Sequence, residues 1–321
     1  MTPQATANDS FLVWLNGVRL EALSQGIKQV VVDKALKDVQ PIRLVLKRDR
    51  SQSEFKLNLS KYSSRVITKA NIKFGQQKAK LHSHLLKKIS RKYGVQPRFI
   101  MAIWGIETRF GLVQANTPLI PAVATLAFDK RRSKYFRNQL FAVLKMLDQG
   151  YIEIENLYGS WAGAMGQPQF MPSSYLAYAQ DFDGDGRRDI WKSVPDILAS
   201  IANYLKKHGW KKDHTWGREV LLPKKDISKI ALPTKASLPG CKARMSKQML
   251  ISRWNALGIR RINKNRLPKR EILGRLVLPD DKRGKAFLVY KNYKAILSYN
   301  CAHLYALTVG LLSDQIGKAI K

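Results

Sequence analysis

Apolar residues return every third or fourth position in successive stretches of the chain, the spacing of a helix with one buried face. In NDSFLVWLNGVRLEALSQG the stripe is Phe11, Trp14, Leu15, Val18 and Ala22, with Asp9 or Ser10 as cap and Gly26 as stop. KLHSHLLKKISRKYG repeats the plan with Leu81, Leu85 and Ile89 ahead of Gly94. A further helix starts at Pro97, a residue suited to a first turn, runs through Ile100, Ile103, Trp104 and Glu107, and ends near Gly111. The same periodicity predicts helices over about 133–149, over PDILASIANYLKKHGW with Pro195 and Asp196 in its first turn, and in the C-terminal CAHLYALTVGLLSDQIGKAI. QPIRLVLKRDRSQSEFKLNLS reads as irregular with some strand character. From about 217 the pattern changes: REVLLP, KAFLVY and KAILSY are short β-favouring runs between Pro, Gly and Lys clusters, with one helix near 245–257. The fold class is therefore mainly α, of the α+β kind, with a small sheet late in the chain.

Composition narrows the classes. Of 321 residues, 45% are hydrophobic, with 7 Trp, 12 Tyr and 11 Phe, as expected of a folded globular chain and not of a disordered one. No apolar run approaches the roughly 18 residues of a membrane span. MTPQATANDSFLVWL lacks the basic and apolar regions of a signal peptide, so none is expected within the chain as given. The 57 Lys+Arg against 23 Asp+Glu give a net charge of +34, which draws the chain to polyanions. The basic residues are dispersed through LKRDR, KKHGWKK and INKNRLPKR, with no recognition-helix or zinc-finger signature. Diffuse attraction to an acidic polymer fits that pattern better than specific nucleic-acid binding. Two cysteines, Cys241 and Cys301, exclude a zinc ribbon; they form either one disulfide or two independent buried thiols.

Two stretches carry candidate chemistry. Positions 100, 103, 104 and 107 follow i, i+3, i+4, i+7, so Glu107 falls on the apolar stripe of its helix. Desolvation there would raise its pKa and keep it protonated near neutrality, as a general acid requires; pairing with Arg109 or exposure at the helix end is the ordinary alternative. In GSWAGAMGQPQFMPSSY, small residues from Gly159 to Gly166 let backbone approach another surface closely. Trp161, Phe170 and Tyr175 add flat apolar faces, and Ser160 and Gln169 add hydrogen-bonding groups. That mixture suits a sugar, and the same run also suits a tight helix–helix crossing.

IWGIETRFG, GSWAGAMGQPQFMPSSY and DFDGDGRRDIW, in that order, resemble the lytic murein transglycosylase B family, as do FLVWLNGVRLEALSQGI and SYNCAHLYAL near the two ends. The resemblance implies a helical domain over 1–94, a lysozyme-like core over 95–216, a small β domain with one helix over 217–298, and a C-terminal helix over 299–321 that returns to the helical domain. It implies cleavage of the MurNAc–GlcNAc β-1,4 bond in peptidoglycan glycan strands, with Glu107 as general acid and then base and a 1,6-anhydromuramic end as product. Ser160, Gln169, Tyr299, Asn300 and Tyr305 match the family's saccharide-binding groups, and Trp161 is taken with them. No cofactor is required for that chemistry. Asp181, Asp183 and Asp185 form the first half of an EF-hand-like loop. Position 12 is Lys192, so the family's later Asp, here Asp196, would close it around calcium; an ion-free Asp/Gly turn is the other reading. A periplasmic monomer is implied. A peptidoglycan hydrolase using Glu153 or Glu155 as second carboxylate, an inactive wall-binding module and a simple polyanion binder are the competing functions.

Overall fold

The structure is a computed structural model that describes residues 7–51, 57–223, 241, 245–280 and 284–320. In chain order the helices are α1 (Ala7–Ser24), α2 (Gln29–Leu36), α3 (Arg43–Arg50), α4 (Leu59–Ser64), α5 (Lys69–Leu81), α6 (Ser83–Tyr93) and α7 (Pro97–Thr108). They continue as α8 (Leu119–Phe128), α9 (Ser133–Asp148), α10 (Pro172–Tyr178), α11 (Val194–Lys207), α12 (Ile251–Ala256), α13 (Lys291–Tyr299) and α14 (His303–Gly317). The strands are β1 (Thr117–Pro118), β2 (Tyr158–Gly159), β3 (Gly217–Leu221), β4 (Met249–Leu250), β5 (Arg260–Arg261), β6 (Leu273–Val277) and β7 (Ala286–Val289). The fold is mainly helical with a small sheet late in the chain, as the periodicity predicts, and β1 and β2 form a separate two-stranded pair. The chain divides into two units, residues 1–55 with 107–200, and 56–106 with 201–321. Among the described residues no single helix is long and apolar enough to cross a membrane.

The first unit is organised around α8, whose residues from Leu119 to Ala127 are buried on nearly every side except at Pro121. A helix apolar all round belongs in a core. Its one polar member there, Thr125, is satisfied: Oγ1 donates to Pro121 O at 2.7 Å and accepts from Ile42 N at 2.8 Å. α1 buries Phe11, Leu15, Val18 and Ala22 as the stripe predicts, and Gly26 turns the chain at φ +81°. The helix runs over Ala7–Ser24, so Asp9 and Ser10 fall within it and not ahead of it. The expected strand character between 40 and 60 is replaced by α3 and α4, with 52–56 outside the described residues. α3 is helical because Val45 and Asp49, four apart, share its buried face. Asp49 is buried with Arg131 and Arg132 on its two oxygens, the pairing that makes a buried carboxylate tolerable.

In the second unit the antiparallel sheet runs β4-β6-β7-β3-β5. β7 is central, pairing Val289 with Gly217 and Arg275, and Phe287 with Glu219 and Val277. Val220, Leu276 and Leu288 meet Ile251 and Trp254 of α12 in one apolar cluster. β4 pairs with β6 before α12 starts, so the helix expected over 245–257 is confined to 251–256. KAILSY is helical in α13, not a strand. Asn292 at its start is buried and bonds Lys211 N and O and His214 O, fixing that end to a turn, while Tyr293, Ile296 and Leu297 form a helical face. Leu81 ends α5 and is exposed, because the helix is interrupted at His82; the buried stripe of α6 is Leu86, Ile89 and Tyr93. Trp216 fills the space where Gly310 of α14 has no side chain: a Cβ there would lie 2.3 Å from the indole. Cys241 and Cys301 are joined in a disulfide, which removes the reading as independent buried thiols.

Candidate active site

Glu107 sits in the last turn of α7, and Ile100, Ile103 and Trp104 of its stripe are buried. Its own side chain is half-buried. The helix does not fray there. Arg109, Phe110 and Gly111 follow at φ +49°, +60° and +86°, three consecutive left-handed residues of which two carry side chains. Each non-glycine residue in that region costs about 1–2 kcal/mol, so such a turn persists only where its surroundings hold it. Phe110 is buried, which anchors one point. Thr108, also buried, anchors another: its Oγ1 donates to Gln167 O at 3.1 Å and accepts from Gly111 N at 3.3 Å, and its carbonyl accepts from Val113 N at 2.9 Å.

Gln167 belongs to the glycine-rich stretch. That stretch leaves β2, which pairs Thr117 with Gly159, and folds back through bridges between Gly159 and Met165 and between Met165 and Phe170. Ser160 N donates to Ala164 O at 2.7 Å, and Ala164 N returns a bond to Ser160 Oγ at 3.0 Å. The small residues are required by backbone proximity: a Cβ on Gly159 would lie 2.5 Å from Ala164 O, and one on Gly166 2.7 Å from Ile190 O. Gln169 is left-handed at φ +53°, with Nε2 donating to Gly166 O at 2.9 Å. Trp161 is half-buried. Phe170 and Tyr175, expected to present flat faces, are buried instead; the Tyr175 hydroxyl donates to Arg188 O at 3.1 Å. Within this unit Glu107 and the stretch carrying Ser160, Trp161 and Gln169 are thus joined through the Thr108–Gln167 bond. No sequence signal marks Thr108 or Gln167, since both act through backbone and short polar contacts.

The aspartate loop lies in the same unit. Carboxylate oxygens of Asp181, Asp183 and Asp196 fall within 4.8 Å of one another. Asp185 lies outside that cluster, its Oδ1 accepting from Arg187 N at 2.8 Å, and Asp189 caps the next turn through Trp191 N and Lys192 N. Asp196 is fully buried; Phe182 N and Asp189 N donate to it at 2.6 and 2.8 Å, yet burial pushes its pKa up to about 6. Three clustered carboxylates, one of them buried, are a donor set suited to a hard divalent cation, so the residues fit calcium.

In the second unit, Tyr305 is buried in α14 and its ring stacks on Tyr299 at 6.5 Å; Tyr299 also meets Tyr204 at 4.7 Å. Asn300 is exposed and ends α13, its N–H donating to Ile296 O at 3.2 Å.

A region of 153 residues is 43% identical to membrane-bound lytic murein transglycosylase B of Escherichia coli, covering 47% of this chain and 42% of that protein. The match thus spans less than half the length of the curated relative. Among solved structures, SltB3 from Pseudomonas aeruginosa in complex with NAG-anhNAM-pentapeptide is 39% identical with a TM-score of 0.87, over 96% of this chain and 79% of that one. The E. coli lytic transglycosylase Slt35, solved in complex with calcium, is 29% identical with a TM-score of 0.77, over 98% and 94%. These neighbours are lytic transglycosylases of lysozyme-like fold. The family model described as the transglycosylase SLT domain matches residues 10–314, nearly the whole chain, and the chain belongs to that family.

Proposed function

We propose that the protein is a peptidoglycan lytic transglycosylase. Glu107 would protonate the oxygen of the glycosidic bond between N-acetylmuramic acid and N-acetylglucosamine. As that bond breaks, an oxocarbenium-like centre develops at the muramic anomeric carbon. The muramic 6-hydroxyl attacks it, and its proton passes to the Glu107 carboxylate, which regenerates the acid. The product is a 1,6-anhydromuramic end, and no water is consumed. Holding the attacking hydroxyl on the same sugar as the reacting carbon gives it the advantage of an intramolecular nucleophile. Ser160, Trp161 and Gln169 are assigned to saccharide contacts because they share a stretch with Gln167, the partner of Thr108, and Tyr299, Asn300 and Tyr305 by family resemblance alone. The net charge of +34 attracts the anionic wall polymer, in keeping with work in the periplasm. Calcium would be held by Asp181, Asp183 and Asp196, where it neutralises clustered carboxylates and stays out of the bond-breaking steps.

The observation that carries this reading is the hydrogen bond from Thr108 to Gln167, which ties the turn bearing Glu107 to the glycine-rich stretch. The test is mass analysis of products from purified sacculi. Wild-type protein should release anhydro-ended muropeptides, one water lighter than hydrolytic products. Glu107→Gln should keep its far-UV spectrum and wall binding while turnover falls at least 10²–10⁴-fold, roughly the range of general acid–base groups. Near-wild-type turnover in that variant, or reducing ends from the wild type, would overturn the assignment.

A further inference from the structure

The left-handed turn after Glu107 needs something to hold it, and the bonds around Gln167 identify the holder. Gln167 uses both its backbone and its side chain. Its carbonyl accepts from Thr108 Oγ1 at 3.1 Å. Its N–H donates to Ile190 O at 2.9 Å, and its Nε2 donates to Trp191 O at 2.8 Å. Ile190 and Trp191 in turn follow Asp189, whose Oδ1 accepts from Trp191 N and Lys192 N and whose own N–H donates to Asp196 Oδ2. A continuous run of hydrogen bonds therefore leads from the aspartate loop to the residue next to Glu107. Two glycines are shaped to this bridge. A Cβ on Gly111 would come within 2.5 Å of Gln167 Oε1, and one on Gly166 within 2.7 Å of Ile190 O.

We propose that Gln167 is a positioning residue for Glu107: by bridging Thr108 to the Ile190–Trp191 backbone it fixes the left-handed turn that aims the Glu107 carboxyl. The inference rests on Glu107 being the acid, and it assigns Gln167 no contact with substrate. A side chain serving only to stabilise the fold would change the amount of folded protein and leave each folded molecule's chemistry intact. A positioning group changes the chemistry itself, because a displacement of about 1 Å can cost on the order of 10²-fold.

The experiment compares Gln167→Met, which keeps length and loses the donor to Trp191 O, with wild type. Turnover of a soluble glycan fragment should show kcat down by about 10–100-fold with KM little changed. The Thr108 pair supplies the conservative rescue: Thr108→Ser retains the hydroxyl and should keep kcat within about twofold of wild type, whereas Thr108→Val should resemble Gln167→Met. Carbon NMR of glutamate-labelled protein gives a readout independent of turnover, with the Glu107 signal assigned by its loss in Glu107→Gln. Its titration midpoint should move in Gln167→Met. If wild type yields no anhydro product, the proposed activity fails while this midpoint still decides the positioning role. A folded Gln167→Met with unchanged kcat and unchanged midpoint overturns it, as does equal kcat in Thr108→Ser and Thr108→Val.

Discussion

Gly166→Ala isolates how much the site depends on backbone contact. Gly166 has φ +62°, and the added methyl would meet Ile190 Cγ1 and Ile190 O at 2.7 Å and Cδ1 at 2.8 Å. Two costs combine. Holding alanine in the left-handed region costs about 1–2 kcal/mol. Overpacking a filled site costs roughly 1–3 kcal/mol more, because a backbone carbonyl cannot swing aside as a flexible side chain can. The sum is about 2–5 kcal/mol. Gly150→Ala supplies the matched control: φ is +69° and nothing lies within 4 Å of the added atom, so only the conformational cost remains. Urea unfolding of both variants, at equal slope, reads the difference as a shift in midpoint. Gly166→Ala should be the less stable by about 1–3 kcal/mol. Because Ile190 O is also the acceptor for Gln167 N, sacculus turnover should fall in Gly166→Ala and not in Gly150→Ala. Two variants equal within about 0.5 kcal/mol would refute the packing argument, since surface-like substitutions scatter by that much.

Other outcomes follow from charge and titration. Calcium at millimolar concentration should raise the unfolding temperature of wild type and do little for Asp183→Asn, because a ligand that binds only the folded state stabilises it in proportion to occupancy; identical responses would remove calcium from the aspartate cluster. His82 is held below the usual imidazole value by burial, with Lys78 adding repulsion. Its neutral form is the one the fold favours, so its contribution is present above the ordinary pKa of about 6.5 and is lost as pH falls through the lower folded value. His82→Gln should therefore flatten the loss of stability as pH falls from about 6.5 to that folded value, and an unchanged pH profile in thermal melts would count against it. Binding to purified walls should weaken as salt rises, since a Debye length of about 10 Å at 0.1 M screens diffuse attraction; salt-independent pelleting would assign the charge of +34 another purpose.

What could be read from sequence alone divides along physical lines. α1, α7, α9, α11 and α14 were legible because their apolar residues recur at helical spacing, and left-handed glycines mark two helix ends, Gly26 after α1 and Gly94 after α6. α3 was not, since its buried face includes Asp49, and only the arginines at 131 and 132, about eighty residues away, make that aspartate a core residue. α13 was missed because Tyr and Ile favour strands locally, while Asn292 and its three backbone partners fix a helix start. At the site, the placement of Glu107 on an apolar stripe and the crowding of small residues after Gly159 were visible. The split among aromatics was not: Phe170 and Tyr175 face the core and Trp161 is part-exposed, a difference set by how the stretch folds back on itself. The exclusion of Asp185 from the carboxylate cluster likewise follows from its bond to Arg187 N, which no spacing rule reports.

The choice between hydrolysis and internal capture turns on whether a second carboxylate can act as base. Two-carboxylate glycosidases place the pair about 5–9.5 Å apart across the sugar. The sequence offers Glu153 and Glu155. Both are exposed, and Glu155 lies 2.7 Å from Lys34 Nζ. The bond from Lys34 holds the Glu155 pKa below the usual carboxylate value. That is the wrong direction for activating water, because a base gains driving force as its proton affinity rises. An internal nucleophile makes no such demand: one carboxyl that gives a proton and takes one back is sufficient, and the 6-hydroxyl arrives attached to the sugar being cleaved. Glu155→Gln should accordingly leave the yield of anhydro ends unchanged. A variant that lost turnover with its fold intact would return the two-carboxylate mechanism to contention.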